Sequence, residues 1–434
     1  MRTPSHTPHH TLCERGLPPG CGCIAIRDTS FPSFPTFPVL HRLHMQIFGE
    51  LFPPEFINQH GDPFLFELYR RWGASRFTAR SSLTNSIGGF GDARYRKATG
   101  LHWKGAVLSL AIERLRDWLA TVHPGAKQVA CIDVVVPTYR CDLVQLERLC
   151  SLDCKQPASL QTIVVVDRPT TPNLEELRRL SSYANGRIVR VHVQEANAGA
   201  SFARNTGLAQ SFGDYAVLLD DDVQPRPGLL DAYLGAIARH PGEAAYVGLT
   251  ELPPPVTWVQ CALKACRVCY FYGVASIKRN PPWGVTANIC VRSRTIRSDF
   301  EYFSRSYPRT GGGEDVDFCI RSQSAGHGKL VAVPEAAVLQ PFWDAPFKQV
   351  RHSPPLSHRL PTYSSGSCAR RLPAGRVATC CAWASCRTPP SVLRQIGRRS
   401  RCCASLAAVA ASGTAAAAAR RQTQAPSCGR LSSK

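Results

Sequence analysis

Three short acidic stretches stand where their residue types could do chemistry. Asp167-Arg168 follows the apolar run 162–166, TIVVV. Asp220-Asp221-Asp222 follows the apolar run 215–219, YAVLL. Glu314-Asp315 follows Gly311-Gly312-Gly313 and opens a helical pattern carried by Val316, Phe318 and Ile320. Neighbouring carboxylates repel one another, and a divalent cation that bridges them to a diphosphate removes that cost. Mg2+ and Mn2+ take few protein oxygens and complete their shells with phosphate oxygens, which suits one or two carboxylates at a strand end. The glycines before Glu314 let backbone approach a ligand closely, and a carboxylate on the first turn of a helix can serve as a general base. Taken singly, the Asp triplet also fits a solvated turn before Pro225, and the Glu314-Asp315 pair fits simple helix capping.

The surrounding sequence supplies elements that would hold these residues in one place. A β-branched run at 132–136 stops at Pro137. Asp142 then has the character of an N-cap, with Leu143, Leu146 and Leu149 inward. After the run 162–166, Thr171 and Pro172 start a second helix, with Leu174, Leu177 and Leu180 inward and Asn185-Gly186 as its stop. A strand at 188–193, a helix at 201–211 and a strand at 215–219 follow. Unbroken apolar strands separated by helices predict a mostly parallel sheet covered on both faces, hence a doubly wound α/β, Rossmann-like fold. In such sheets ligands bind beyond the carboxyl ends of the strands, where Pro137, Tyr139, Asp167 and the Asp triplet fall.

Composition limits the alternatives. The chain has 434 residues, 44% hydrophobic and 19% charged, enough for a sizeable core. Its net charge of +21 suggests nucleic acid, but the charge is unevenly placed. Residues 345–434 hold no Asp or Glu and fifteen Lys or Arg, which leaves +6 for residues 1–344. The reading is therefore no nucleic-acid partner. Four regions are expected: a poorly organised extension at 1–104, an amphipathic helix at 105–130, the α/β domain at 131–344, and a low-complexity basic tail at 345–434. The helix is marked by Leu108, Ile112, Leu115, Leu119 and Val122 on one face, packing onto the domain that follows. The tail lacks any apolar period, is expected to be disordered, and resembles an out-of-frame or intron-derived end. No run reaches the ~20 apolar residues of a membrane span and no signal peptide is visible. That favours the cytoplasm or a cytosolic membrane face and leaves peripheral membrane association open. The 19 cysteines are scattered, and the lone Cys266/Cys269 pair reads as reduced thiols rather than a zinc site.

In their order and spacing, the segments VVVPTYR, VVVDRP, the Asn197–Gly207 stretch NAGASFARNTG, LLDDDV and GGGEDVDF resemble the inverting family 2 glycosyltransferases of GT-A fold, over about residues 131–340. The resemblance implies a metal-dependent transfer of a sugar from a nucleotide-diphosphate sugar to an acceptor hydroxyl of a carbohydrate, lipid or protein. Pro137, Tyr139 and Asp167 would then line the nucleoside pocket, Asp167 accepting from the base edge. Arg204 would help hold the nucleotide, with Asn205 and Gly207 shaping the turn. Asp220 and Asp222 match the DxD motif. Asp222 would ligate Mn2+ or Mg2+, and Asp220 would meet the ribose or the metal. Asp315 matches the catalytic base, and Glu314 would contact the acceptor or orient that base. Trp283, Asn288 and Gly313 would lie against acceptor or donor sugar.

Three departures from the family pattern are visible. Arg168-Pro169 replaces the usual small or acidic residues, Gln340 stands where many relatives carry a metal-binding His, and no QxxRW-like signature of processive synthases is present. Two other readings follow: an impaired relative that binds nucleotide sugar without transfer, and a nucleotidyltransferase. The second would need a glycine-rich basic loop after the first strand, where the sequence has PTYRCD.

Overall fold

The computed structural model describes residues 16–56, 60–85, 106–184, 187–265, 269–293, 302–307 and 312–342. The expected tail at 345–434 lies outside the described residues, as do Cys266 and Gly311.

The N-terminal region departs from the expectation of poor organisation. Strands β1 (Cys23–Asp28), β2 (Pro38–Leu40) and β3 (Ser75–Leu83) form a small sheet in the order β2-β1-β3, joined by helices α1 (Leu43–Phe48) and α2 (Gly61–Arg70). Residues Pro63 to Arg70 of α2 are all buried. Its charged residues Glu67 and Arg70 are buried with the apolar ones. Helix α3 (Ala106–Val122) buries Leu108, Ile112, Leu115 and Leu119, as its spacing predicts, whereas Val122 is exposed. Its partners are chiefly the N-terminal elements, including Phe64, Leu68 and Trp72, together with Ile188 and Phe212 of the following domain.

Buried ion pairs tie this region to the main sheet. Arg70 and Arg71 are nearly inaccessible. Arg70 Nη2 lies 2.6 Å from Asp133 Oδ1, and Arg70 Nη1 lies 3.1 Å from Glu67 Oε2. Asp133 also accepts the backbone N–H groups of Phe212 and Gly213, each at 2.7 Å. Burial alone would raise the Asp133 carboxyl, but the Arg70 charge and these hydrogen bonds outweigh it and hold it below its ordinary value.

The main sheet is built from β4 (Ala130–Thr138), α4 (Leu143–Cys150), β5 (Ala158–Val166), α5 (Leu174–Arg179), β6 (Ser182–Ala184), β7 (Arg187–Val193), α6 (Ala200–Gln210), β8 (Tyr215–Leu219), β9 (Gln224–Pro225), α7 (Leu229–Arg239), β10 (Ala245–Glu251), α8 (Trp258–Ala265), a 3-10 turn at Tyr270–Gly273, α9 (Val274–Ile277), β11 (Asn288–Arg292), α10 (Glu314–Ser324) and β12 (Leu330–Leu339). The strand order is β6-β7-β5-β4-β8-β11-β10-β12-β9. Strands β7, β5, β4 and β8 are parallel neighbours, and β10 and β12 run the same way, with β6, β11 and β9 reversed. This is the mostly parallel α/β sheet that the sequence predicts.

Both faces of the sheet are covered. Val134, Val136, Val164 and Leu219 join a cluster with Leu146 and Tyr233, whereas Val135, Ile163, Val165 and Leu218 join one with Ala203 and Phe318. The strands are apolar without alternation because both sides are dry. Helix α4 starts as expected, Asp142 Oδ1 accepting from Val144 N and Gln145 N. Helix α5 is shorter than its sequence suggests. Residues 182–184 leave it to pair antiparallel with β7, and Asn185-Gly186, expected as the helix stop, lies outside the described residues.

Candidate active site

The carboxyl ends of β4 and β8 meet through one carboxylate. Thr138 Oγ1 donates to Asp221 Oδ2 at 2.7 Å, and Arg140 Nη1 donates to Asp221 Oδ1 at 2.8 Å. The same Nη1 lies 2.7 Å from Asp222 Oδ2. Asp221 therefore points inward as an anchor, and burial, reinforced by its acidic neighbours, raises its carboxyl. Asp220 and Asp222 flank it with more accessible side chains, 32% and 20% exposed. These are the two positions of the DxD pattern, the outward pair of the triplet.

Arg204 on α6 joins this turn to the start of α10. Its Nη2 lies 2.8 Å from Asp220 Oδ1, and its Nη1 lies 2.9 Å from Glu314 Oε1. Arg204 is 6% exposed, so its guanidinium is a buried clamp between two carboxylates rather than an open nucleotide contact. That revises the expected role. Glu314 is also buried, and its second oxygen accepts from Gly312 N. Of its two expected roles, orienting the base fits this burial, and contact with an acceptor does not.

Asp315 follows, half-buried, its Oδ1 accepting from Val316 N at 2.8 Å. Desolvation first, and the charge of Glu314 second, push its carboxyl up to about 6. Tyr272, in the 3-10 turn, reports on the same space. Burial raises its phenol, and Asp220, Asp222 and Asp315 all add to the shift. Neither Tyr272 nor Arg140 is among the residues singled out from sequence as site groups. Arg140 was legible only as a cation at a strand end, 80 residues before the acidic triplet, and nothing in FYG marks Tyr272.

At the end of β5, Asp167 is buried and already well engaged. It accepts from Gln194 Nε2 at 3.0 Å and from the backbone N–H groups of Ala198 and Gly199 at 2.9 and 2.8 Å. It locks the start of α6 to β5, with lone pairs remaining for one further donor. Tyr139 is exposed, with the Arg168 guanidinium 5.6 Å from its ring centre, and Pro137 is half-buried beside it. Gly207 packs α6 against β4, where a methyl group would come within 2.3 Å of Val135 Cγ1. Asn205 binds the backbone of Phe303 in both directions, at 2.7 and 3.0 Å.

The expectations for the sugar contacts divide. Asn288 is fully buried on β11, accepting from Tyr233 OH at 2.7 Å and donating to Ala336 O at 2.8 Å and Leu249 O at 3.1 Å. It holds strands together and cannot touch a sugar, which corrects its assignment. Trp283 is half-buried and packs against the clusters on both faces of the sheet. Gly313 caps α10 with a left-handed φ of 94°, bringing Glu314 and Asp315 onto the first turn.

A metal would find two accessible carboxylates and one amide. Among the described residues no group of three or more His, Cys, Asp or Glu is gathered for a metal. Gln340 follows β12, whose antiparallel register pairs Leu339 with Gln224 and so brings Gln340 level with Val223, next to Asp222. Gln340 is 4% exposed, and its Oε1 is a buried acceptor without a partner. Asp220, Asp222 and this oxygen are hard-oxygen donors of the kind that could hold Mg2+ or Mn2+ with phosphate oxygens completing the shell.

Residues 133–253 match the family described as Glycosyl transferase family 2. These residues form a family 2 glycosyltransferase domain. Over 215 residues it is 30% identical to the succinoglycan biosynthesis protein ExoM of Rhizobium meliloti (strain 1021), covering 48% of this chain and 66% of that protein, just under two thirds of its length. Solved structures similar to this glycosyltransferase include GalNAc-T7 with UDP, GalNAc and Mn2+, at 15% identity and TM-score 0.39, covering 49% of this chain and 44% of that one. Mannosyltransferase PcManGT from Pyrobaculum calidifontis, in complex with GDP-Man and Mn2+, aligns at 16% identity and TM-score 0.40, covering 51% and 60%. No helix among the described residues of the glycosyltransferase is long and apolar enough to cross a membrane.

Proposed function

We propose that this glycosyltransferase moves a sugar from a nucleotide-diphosphate sugar to an acceptor hydroxyl in one displacement that inverts the anomeric carbon. The observation that carries the reading is the Arg204 clamp, which couples Asp220 at the end of β8 to Glu314 at the start of α10. It gathers a diphosphate-side carboxylate and a raised, half-buried carboxylate, Asp315, around one space.

Asp315 accepts the proton of the acceptor hydroxyl as that oxygen attacks the anomeric carbon, and the nucleoside diphosphate departs from the opposite face. A carboxylate held at about 6 is ionised at neutral pH yet more basic than an ordinary one, which suits a general base. Pro137, Tyr139 and Asp167 orient the nucleoside, and holding both sugars in line makes the attack a local event. Asp222, with Asp220 and the Gln340 amide oxygen, would hold a divalent cation, and bound there it would offset charge on the leaving diphosphate. The buried, unpartnered Gln340 Oε1 favours this over a site that binds nucleotide without transferring. Screening of donor sugars by release of nucleoside diphosphate, with and without Mn2+, tests the proposal. Release from no donor under either condition would overturn it.

A further inference from the structure

A cavity of about 410 Å³ opens at the start of α6, lined by Asn197, Gly199, Ser201, Phe202, Arg305 and Tyr307. None of the residues assigned above to nucleoside, metal or base lines it. Its wall nevertheless reaches the catalytic loop. A methyl group on Gly313 would sit 3.1 Å from Tyr307 Cε1, so the Tyr307 ring lies against the residue before Glu314-Asp315.

Its chemistry is that of an anion site on a sugar-sized platform. Helix α6 has eleven residues, and its first intrahelical bond runs from Ala203 N to Gly199 O. The N–H groups of Ala198 and Gly199 go to Asp167, which leaves those of Ala200, Ser201 and Phe202 with no acceptor within the helix. The dipole of the helix adds to their pull on negative charge. Ser201 supplies an independent sign of a missing ligand: it is 6% exposed, it lines the cavity, and its hydroxyl has no partner. Arg305 brings a full positive charge, its guanidinium carbon 4.8 Å from the centre of the Phe202 ring. No carboxylate lines the cavity, whereas two aromatic rings do.

We propose that this cavity binds an acidic substituent, carboxylate or phosphate, carried by the acceptor sugar. The word acceptor rests on the glycosyltransferase reading, whereas the anion site does not. Hydrogen exchange of the backbone segment 197–205 in the full chain, without donor or metal, tests the site with D-glucuronate, glucose 6-phosphate and glucose as probes. At least one acidic sugar should protect the segment at roughly tenfold lower concentration than glucose. Arg305→Gln should abolish that preference, and Ser201→Ala should weaken it by about fivefold. Protection by glucuronate alone identifies a carboxylate site, by the phosphate alone a phosphate site, and by both a general anion site. Equal protection by glucose, or an undiminished preference in Arg305→Gln, overturns the proposal. UDP titration read at the segment containing Asp167 tests the donor reading separately, so the two can fail independently.

Discussion

Replacing Asp315 by Asn removes a proton acceptor while keeping the side-chain shape and the oxygen that accepts from Val316 N. The consequences for stability and for turnover have opposite signs. The carboxyl is held at about 6 against an ordinary 3.8, chiefly by burial and then by Glu314. The folded state therefore keeps this proton up to about pH 6, whereas the unfolded chain loses it near pH 4. Between those values the folded state binds more protons, so the contribution of this group to stability is largest below pH 4, declines as pH rises to about 6, and stays low above. At 1.36 kcal/mol per pH unit the full displacement corresponds to about 3 kcal/mol, and solvent screening of a half-buried group reduces it to about 1–2 kcal/mol. Asn carries no charge at any pH. Asp315→Asn should match wild type near pH 4 and exceed it by that amount at pH 7.5, measured by urea unfolding at both values.

Turnover should move the other way. Loss of a general base lowers kcat by roughly 10²–10⁴-fold. Binding of nucleoside diphosphate should remain close to wild type, because Asp315 is assigned to the acceptor side. The wild-type rate should fall as pH drops below about 6, as the base takes up its proton. If the variant keeps turnover within a few-fold of wild type, Asp315 is not the base. If it gains no stability at pH 7.5, the carboxylate is not the desolvated group described here.

Three further substitutions separate the roles of the charged and polar residues. Asp222→Asn should weaken Mn2+-dependent binding of nucleoside diphosphate by roughly tenfold or more and change metal-free binding little, since it removes a ligand charge beside the phosphates; titration with and without Mn2+ checks this. Asn288→Ala should cost about 2–4 kcal/mol in urea unfolding, because it leaves Tyr233 OH and two strand carbonyls unpaired, with donor affinity of the folded protein unchanged. Arg70→Met should cost about 3–5 kcal/mol by leaving the buried Asp133 carboxylate without its counter-charge and Glu67 with one close arginine, Arg71, instead of two, measured in the same way.

What the sequence disclosed depended on whether a residue's role leaves a local pattern. The strand at Tyr215–Leu219 ends as the apolar run ends, because an Asp triplet cannot continue into a core dry on both faces. The Asp142 cap was visible because its partners lie two and three residues away. Arg204 was also found, but its role was not, because its two carboxylate partners lie 16 and 110 residues distant and only the fold joins them. Asn288 fails for the complementary reason. A polar residue in a Trp-Gly-Val-Thr-Ala-Asn segment looks like a ligand contact until the strands around it supply three partners. Helix α2 escaped because its Arg70 and Arg71 resemble a solvated basic pair until Glu67 and Asp133 are seen across from them. The common element is long-range pairing of charge: sequence shows which groups must be compensated, and the sheet topology decides which groups compensate them. The same logic makes Arg140 informative. It lies between Asp221 and Asp222, so the acidic turn is partly neutralised by the chain itself. Being 58% exposed on a long side chain, it could turn outward if the cation proposed above took its place. The acidic turn thus takes its counter-charges from the chain itself, Arg140 on Asp222 and Arg204 on Asp220, and the cation proposed above would have to compete with them.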